Sequence, residues 1–82
     1  METKAEILLV DDHALILEGM QRMLELVPGV KVADAVTSGT RAAELIGERD
    51  YDIYVLDVSL PDISGFDLVD MIREINESAR II

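Results

Sequence analysis

The sequence has no cysteine, only seven basic residues among 82, only two prolines and no long apolar run. Each shortage excludes something. Without cysteine there are no disulfides and no thiolate metal sites, and redox chemistry places no constraint on the compartment. Seven lysines and arginines against 17 acidic residues give a formal charge of −10. That balance argues against direct nucleic-acid binding, which needs a basic face. It suits a protein that handles cations or docks on basic patches. No apolar run approaches the ~20 residues needed to span a bilayer. The opening METKAEILLV has an acidic flank and lacks the charged, apolar and cleavage regions of a secretion signal. A cytoplasmic protein with no membrane partner is the expectation.

What is present is a packing chain. Half of the residues are hydrophobic, too many for a disordered segment. Eighty-two residues make one small domain with little margin in its core. Glu6-Ile7-Leu8-Leu9-Val10 is an unbroken apolar run that stops at Asp11-Asp12. Runs of this kind read as strands buried on both faces. His13 to Val27 has helical spacing, with Ile16, Met20, Met23, Leu24 and Val27 on one stripe. Asp11 or Asp12 is placed to cap it, and Pro28-Gly29 ends it. Gly19 in its interior reads as a point of close approach to a sheet. Val30–Val36 alternates and carries Lys31 and Asp34, which suit a sheet edge.

Thr37-Ser38-Gly39-Thr40 begins a second helix that runs to about Arg49. Tyr51 to Asp57 is a third, central strand. Ser64 caps a third helix from Gly65 to about Asn76, with Phe66, Val69, Ile72 and Ile75 as its stripe, widened by Leu68 and Met71. Arg80-Ile81-Ile82 opens a fourth strand. Alternating strands and helices indicate an α/β fold with a parallel sheet. Two central strands and one edge strand give the order 2-1-3, with the fourth beyond the third. Right-handed crossovers put helix one on one face and helices two and three on the other.

That order reverses between strands one and three, and ligands of open α/β sheets bind at such a switch point, at the carboxyl ends of the strands. Asp11 and Asp12 end strand one and Asp57 ends strand three, so three carboxylates meet at one crevice. Such crowding pushes carboxyl pKa values upward and disfavours full ionisation. A divalent cation relieves it, and all-oxygen ligation suits Mg²⁺. A carboxylate can also be the nucleophile toward a phosphoryl group. Asp57 stands alone at its strand tip and is the better nucleophile; the paired Asp11 and Asp12 are the better ligands. Taken singly, each Asp is equally well read as a cap or turn former, and His13 as a helix-start residue beside the crevice.

Val10-Asp11-Asp12-His13 with Leu15, Gly19 and Leu24, the Thr37-Ser38-Gly39 turn, and Asp57 followed by Leu60-Pro61 and Gly65 together resemble the receiver domain of bacterial two-component response regulators. The likeness is greatest to regulators with a helix-turn-helix DNA-binding output. It implies a flavodoxin-like (CheY-like) sheet of order 2-1-3(-4). It implies Asp57 as phosphoacceptor, and Mg²⁺ held by Asp11, Asp12, Asp57 and the backbone carbonyl of Ser59. It also implies a partner histidine kinase and control of an output domain, a signalling role and not an enzyme's. Residues 1–82 correspond to the N-terminal part of one receiver domain, three βα units and the start of strand four. The family's hydroxyl residue after strand four, its lysine after strand five and its aromatic switch residue have no counterparts here.

Two other readings compete. A Mg²⁺-dependent phosphatase of the haloacid-dehalogenase type also uses an Asp after a strand, but places a second Asp two residues on, where this chain has Ser59. A non-signalling association fragment would expose apolar surface at Tyr54, Leu56 and the first helix and leave an open sheet edge. Such surfaces favour a homo-oligomer.

Overall fold

Strand β1 (Ala5–Val10) is the axis of the computed structural model, which describes residues 4–82. The first three residues of the opening segment read above lie outside the described residues. Ile7, Leu8, Leu9 and Val10 are all buried, because β1 has a parallel neighbour on each side and helices over each face. Its neighbours are β2 (Val30–Val36) and β3 (Ile53–Leu56), and β4 (Arg80–Ile81) lies beyond β3, giving the order β2-β1-β3-β4. This is the order expected from the sequence. The β1–β2 register slips between Ile7 and Leu8, where Ala33 is skipped. The β1–β3 register is regular and ends at Val10 opposite Leu56.

Alternation along the strands splits the core in two. Leu8, Val10 and Tyr54 point to one face and pack with Ala42, Leu45 and Ile46 of α2 (Gly39–Glu48) and Leu68 and Ile72 of α3 (Gly65–Ile75). Ile7 and Leu9 point to the other and pack with Leu17 of α1 (Ala14–Glu25). One helix therefore covers one face and two cover the other. Ser38 and Ser64 cap α2 and α3, accepting from Arg41 N–H and Phe66 N–H.

Several details differ from the sequence reading. In α1 the buried position is Leu17, with Met20 and Leu24 packed beside it, whereas Ile16 and Met23 face outward. The helix is apolar on two sides, so periodicity alone does not choose the one that meets the sheet. In α3 the inner side is Leu68, Met71 and Ile72, and Phe66 and Ile75 are exposed. Three residues turn a helix by about 300°, so three such steps end roughly half a turn away from the start. Gly19 approaches nothing: a Cβ there meets no atom within 4 Å. Neither aspartate caps α1 through the expected bond; His13 is the N-cap residue and has no side-chain cap. Tyr54 is fully buried (0 % exposed) in the α2–α3 core, against expectation, and Leu56 is partly buried. The first helix does expose apolar surface as expected, at Leu15, Ile16 and Met23 and at Leu26 and Val27 on its C-terminal flank.

Candidate functional site

The parallel register brings the acids together. Because Val10 lies opposite Leu56, the next residue on each strand, Asp11 and Asp57, emerges from adjacent strand ends. Asp57 N–H donates to the Val10 carbonyl at 2.9 Å, and Asp11 N–H donates to the Val36 carbonyl of β2 at 3.2 Å. The backbone at both tips is thus fixed by neighbouring strands. One ligand atom from each of Asp11, Asp12, His13 and Asp57 lies within 4.8 Å of the other three. The side chains of Asp11 and Asp57 are each 15 % exposed, so the cluster is recessed yet open to water.

His13 starts α1 beside the crevice, as expected, and also joins the cluster itself. Its Nδ1 lies 2.7 Å from Asp11 Oδ1, 3.1 Å from Asp12 Oδ1 and 3.8 Å from Asp57 Oδ2. Asp11 Oδ1 also accepts from His13 N–H at 2.8 Å, a local Asx-type turn that folds the imidazole back over the acids. The hydrogen bond to Asp11 and then the charge of Asp12 hold the imidazole above its ordinary pKa. The pattern Asp-Asp-His carried this signal, since an i→i+2 side-chain-to-backbone bond is common for aspartate.

Asp57 corrects the expectation that crowding raises its pKa. It is held below the ordinary value, first by Ser59 N–H and then by the Ser59 hydroxyl, with the positive charge of His13 assisting. Both Ser59 bonds are 3.0 Å and both end on Oδ1. Donors that bond the ionised form favour it and outweigh the opposing cost of burial. Oδ1 is thereby occupied, and Oδ2 faces the cluster.

The loop from Asp57 to Ser64 is built by two close approaches. A Cβ on Gly65 would fall 2.7 Å from the Asp57 carbonyl oxygen and 2.7 Å from Val58 Cα. Only glycine lets α3 start so near the strand tip. Leu60 is buried in the α2–α3 core, which pins the middle of the loop. Asp62, which the sequence reading passed over, reaches across to α2. Its Oδ1 accepts from Gly39 N–H at 2.9 Å, and its Oδ2 accepts from Thr40 N–H at 2.8 Å and the Thr40 hydroxyl at 2.7 Å. These donors, Thr40 N–H first, hold its carboxyl far below the usual range.

The donor set suits a hard cation. Three carboxylates offer oxygen, the ligand type of Mg²⁺, which also keeps several waters; the open side of the cluster leaves room for them. His13 offers nitrogen and is better placed as a hydrogen-bond donor to the acids than as a ligand.

A doubly wound parallel sheet with an acidic cluster of metal-binding spacing at its switch point defines the class of protein: an α/β domain with its polar site at the carboxyl edge. The chain belongs to the response regulator receiver domain family, which it matches over residues 7–82. It is 32 % identical over 78 residues to the nitrate/nitrite response regulator protein NarL of Escherichia coli K12, an alignment covering 95 % of this chain and 36 % of that protein. The chain therefore spans about a third of that relative. A two-component response regulator of the LuxR family from Aurantimonas sp. SI85-9A1 superposes with a TM-score of 0.84 at 37 % identity, covering 96 % of this chain and 56 % of that one. A CheY-like receiver domain from Methylobacillus flagellatus gives 0.82 at 31 % identity, covering 96 % and 67 %. Domains of this family are signalling modules of two-component systems, not classical enzymes, and use Mg²⁺ at an acidic pocket. Membership displaces the phosphatase reading. No helix among the described residues is long and apolar enough to cross a membrane.

Proposed function

We propose that Asp57 accepts a phosphoryl group from a sensor histidine kinase, with Mg²⁺ held by Asp11, Asp12, Asp57 and the Ser59 carbonyl. The observation that carries this is the convergence of the three carboxylates within 4.8 Å at the ends of two adjacent strands. With Oδ1 held by Ser59, Oδ2 of Asp57 is the free oxygen. It forms the new O–P bond as the bond from phosphorus to the donor's leaving group breaks, and that group leaves with its electron pair. When bound, Mg²⁺ neutralises charge on the transferring phosphoryl oxygens. The three βα units and the start of the fourth strand are, on this reading, the N-terminal part of one receiver domain. Its phosphorylation governs a DNA-binding output domain in the cytoplasm, and this acidic chain does not itself bind nucleic acid. The test is to incubate the chain with Mg²⁺ and a small acyl phosphate and measure its intact mass. A base-labile phosphoryl adduct that disappears with chelator is expected; no adduct at any Mg²⁺ concentration counts against the reading.

We also propose that the chain self-associates. Leu15, Ile16, Met23, Leu26 and Val27 are exposed, and an apolar groove of about 190 Å³ lies beside them, lined by Leu9, Met20, Met23, Leu24 and Val55. On the far side of the sheet, β4 is the outermost strand. Apolar patches and open strand edges of this kind drive association. Sedimentation is expected to show a dimer or larger species, and Met23→Glu combined with Leu26→Glu to shift it toward monomer. A wild-type monomer at all concentrations would remove this proposal.

A further inference from the structure

We propose that Asp62 is a positioning residue, whose carboxylate ties the loop carrying Asp57 and Ser59 to the start of α2 and so sets the geometry that Asp57 presents to a divalent cation. The inference rests on the reading of Asp57 as a Mg²⁺ ligand.

The middle of the loop is held on its apolar side by Leu60, buried in the core, and by Ile63, packed partly buried against it. At one end Asp57 is fixed by the bond to Val10, and at the other Gly65 N–H reaches the Val58 carbonyl at a long 3.4 Å. Between them Pro61 is exposed and Leu60 provides the one buried side chain. Asp62 adds the polar tie, to the start of α2. Both of its oxygens are engaged, Oδ1 by Gly39 N–H and its own neighbour Ile63 N–H, Oδ2 by the two groups of Thr40. Charge-assisted bonds of this kind are short and directional. The two chain segments are also in steric contact, since a Cβ on Gly39 would fall 2.8 Å from Ile63 Cβ and 2.9 Å from Asp62 Oδ1. The anchor is rigid, because α2 is bedded in the core through Ala42, Leu45 and Ile46. Movement of Asp62 is transmitted along three residues to Ser59, whose N–H and hydroxyl orient Asp57.

A residue that merely caps α2 would act differently. Ser38 provides that comparison, because it caps the same helix through Arg41 N–H and lies outside the loop. The test titrates Mg²⁺ alone into the full chain and its variants by isothermal calorimetry, with hydrogen exchange of the Ser59 amide as a second readout. Asp62→Ala is expected to weaken Mg²⁺ binding by roughly tenfold or more, the usual effect of losing a group that orients a ligand, and to speed exchange at Ser59. Ser38→Ala is expected to lower the unfolding midpoint with neither effect. Asp62→Asn keeps the Oδ1 acceptor and is expected to lie between wild type and Asp62→Ala, and it serves if the alanine variant does not fold. Equal Mg²⁺ affinity and equal Ser59 exchange in wild type and the Asp62 variants would reduce Asp62 to a helix cap and overturn the proposal. If wild type itself binds no Mg²⁺, the reading of Asp57 fails, and exchange at Ser59 alone decides whether Asp62 positions the loop.

Discussion

Asp57→Asn is expected to abolish the Mg²⁺-dependent phosphoryl adduct while leaving the fold intact. The substitution preserves shape and an oxygen at Oδ1, so the two 3.0 Å bonds from Ser59 persist. It replaces Oδ2 by an amide nitrogen whose lone pair is delocalised into the carbonyl. The nucleophile is lost, and with it the negative charge that attracts a cation. Catalysed transfer to a carboxylate depends on that oxygen, so the loss is complete rather than partial. Stability is expected to fall slightly, without unfolding. Ser59 holds the Asp57 carboxyl below its ordinary pKa, so its charge is favoured in the folded state and neutralising it forfeits that gain; the urea midpoint is expected to lie at or a little below that of wild type. His13 makes the experiment sharper, because its Nδ1 lies 3.8 Å from Asp57 Oδ2 and an imidazole can also carry phosphate. A phosphoramidate on His13 resists base, whereas an acyl phosphate on Asp57 does not. Persistence of a base-resistant adduct in Asp57→Asn would move the acceptor to His13, and persistence of a base-labile one would move it to another carboxylate.

The features legible in the sequence were those set by neighbours along the chain. Apolar runs ending in aspartate gave strands with acidic tips, Ser64 and Ser38 announced their helices, and the alternation of elements gave the sheet order. What escaped depends on packing between distant segments. Asp62 and Thr40 are 22 residues apart, and nothing local to Pro61-Asp62-Ile63 says that its carboxylate turns toward α2. Tyr54 was expected at a surface because its strand seemed to lack a neighbour, yet α2 and α3 close over it. In α1 and α3 only part of the expected stripe faces inward, Met20 and Leu24 in the one and Leu68, Met71 and Ile72 in the other, because each helix carries more apolar residues than one face needs. The direction of the Asp57 pKa escapes the sequence because the sequence shows the neighbouring carboxylates and not the Ser59 donors that hold Asp57 ionised.

Gly65→Ala is expected to destabilise the domain and to cut phosphoryl incorporation together, through a single misplaced methyl group. The added Cβ would lie 2.7 Å from the Asp57 carbonyl oxygen, 2.7 Å from Val58 Cα and 3.2 Å from the Asp57 carbonyl carbon. All three are backbone atoms and have no rotamer by which to yield. Either α3 or the strand tip must move, and α3 is the better anchored, with Leu68 and Ile72 fully buried. The displacement therefore falls on Asp57 and Val58, the start of the acceptor loop. Overpacking of this kind costs about 1–3 kcal/mol, against a total stability of about 5–15 kcal/mol for a small domain. Alanine's higher helix propensity returns at most about 1 kcal/mol, so the net sign is destabilising. Gly19→Ala separates the two contributions, because a Cβ there meets nothing within 4 Å and only propensity operates. Chemical denaturation of both variants should show the midpoint falling for Gly65→Ala and rising for Gly19→Ala, with the phosphoryl adduct reduced only in the former. If Gly65→Ala instead gains stability as Gly19→Ala does and is phosphorylated like wild type, the contact between α3 and the Asp57 backbone does not shape the site.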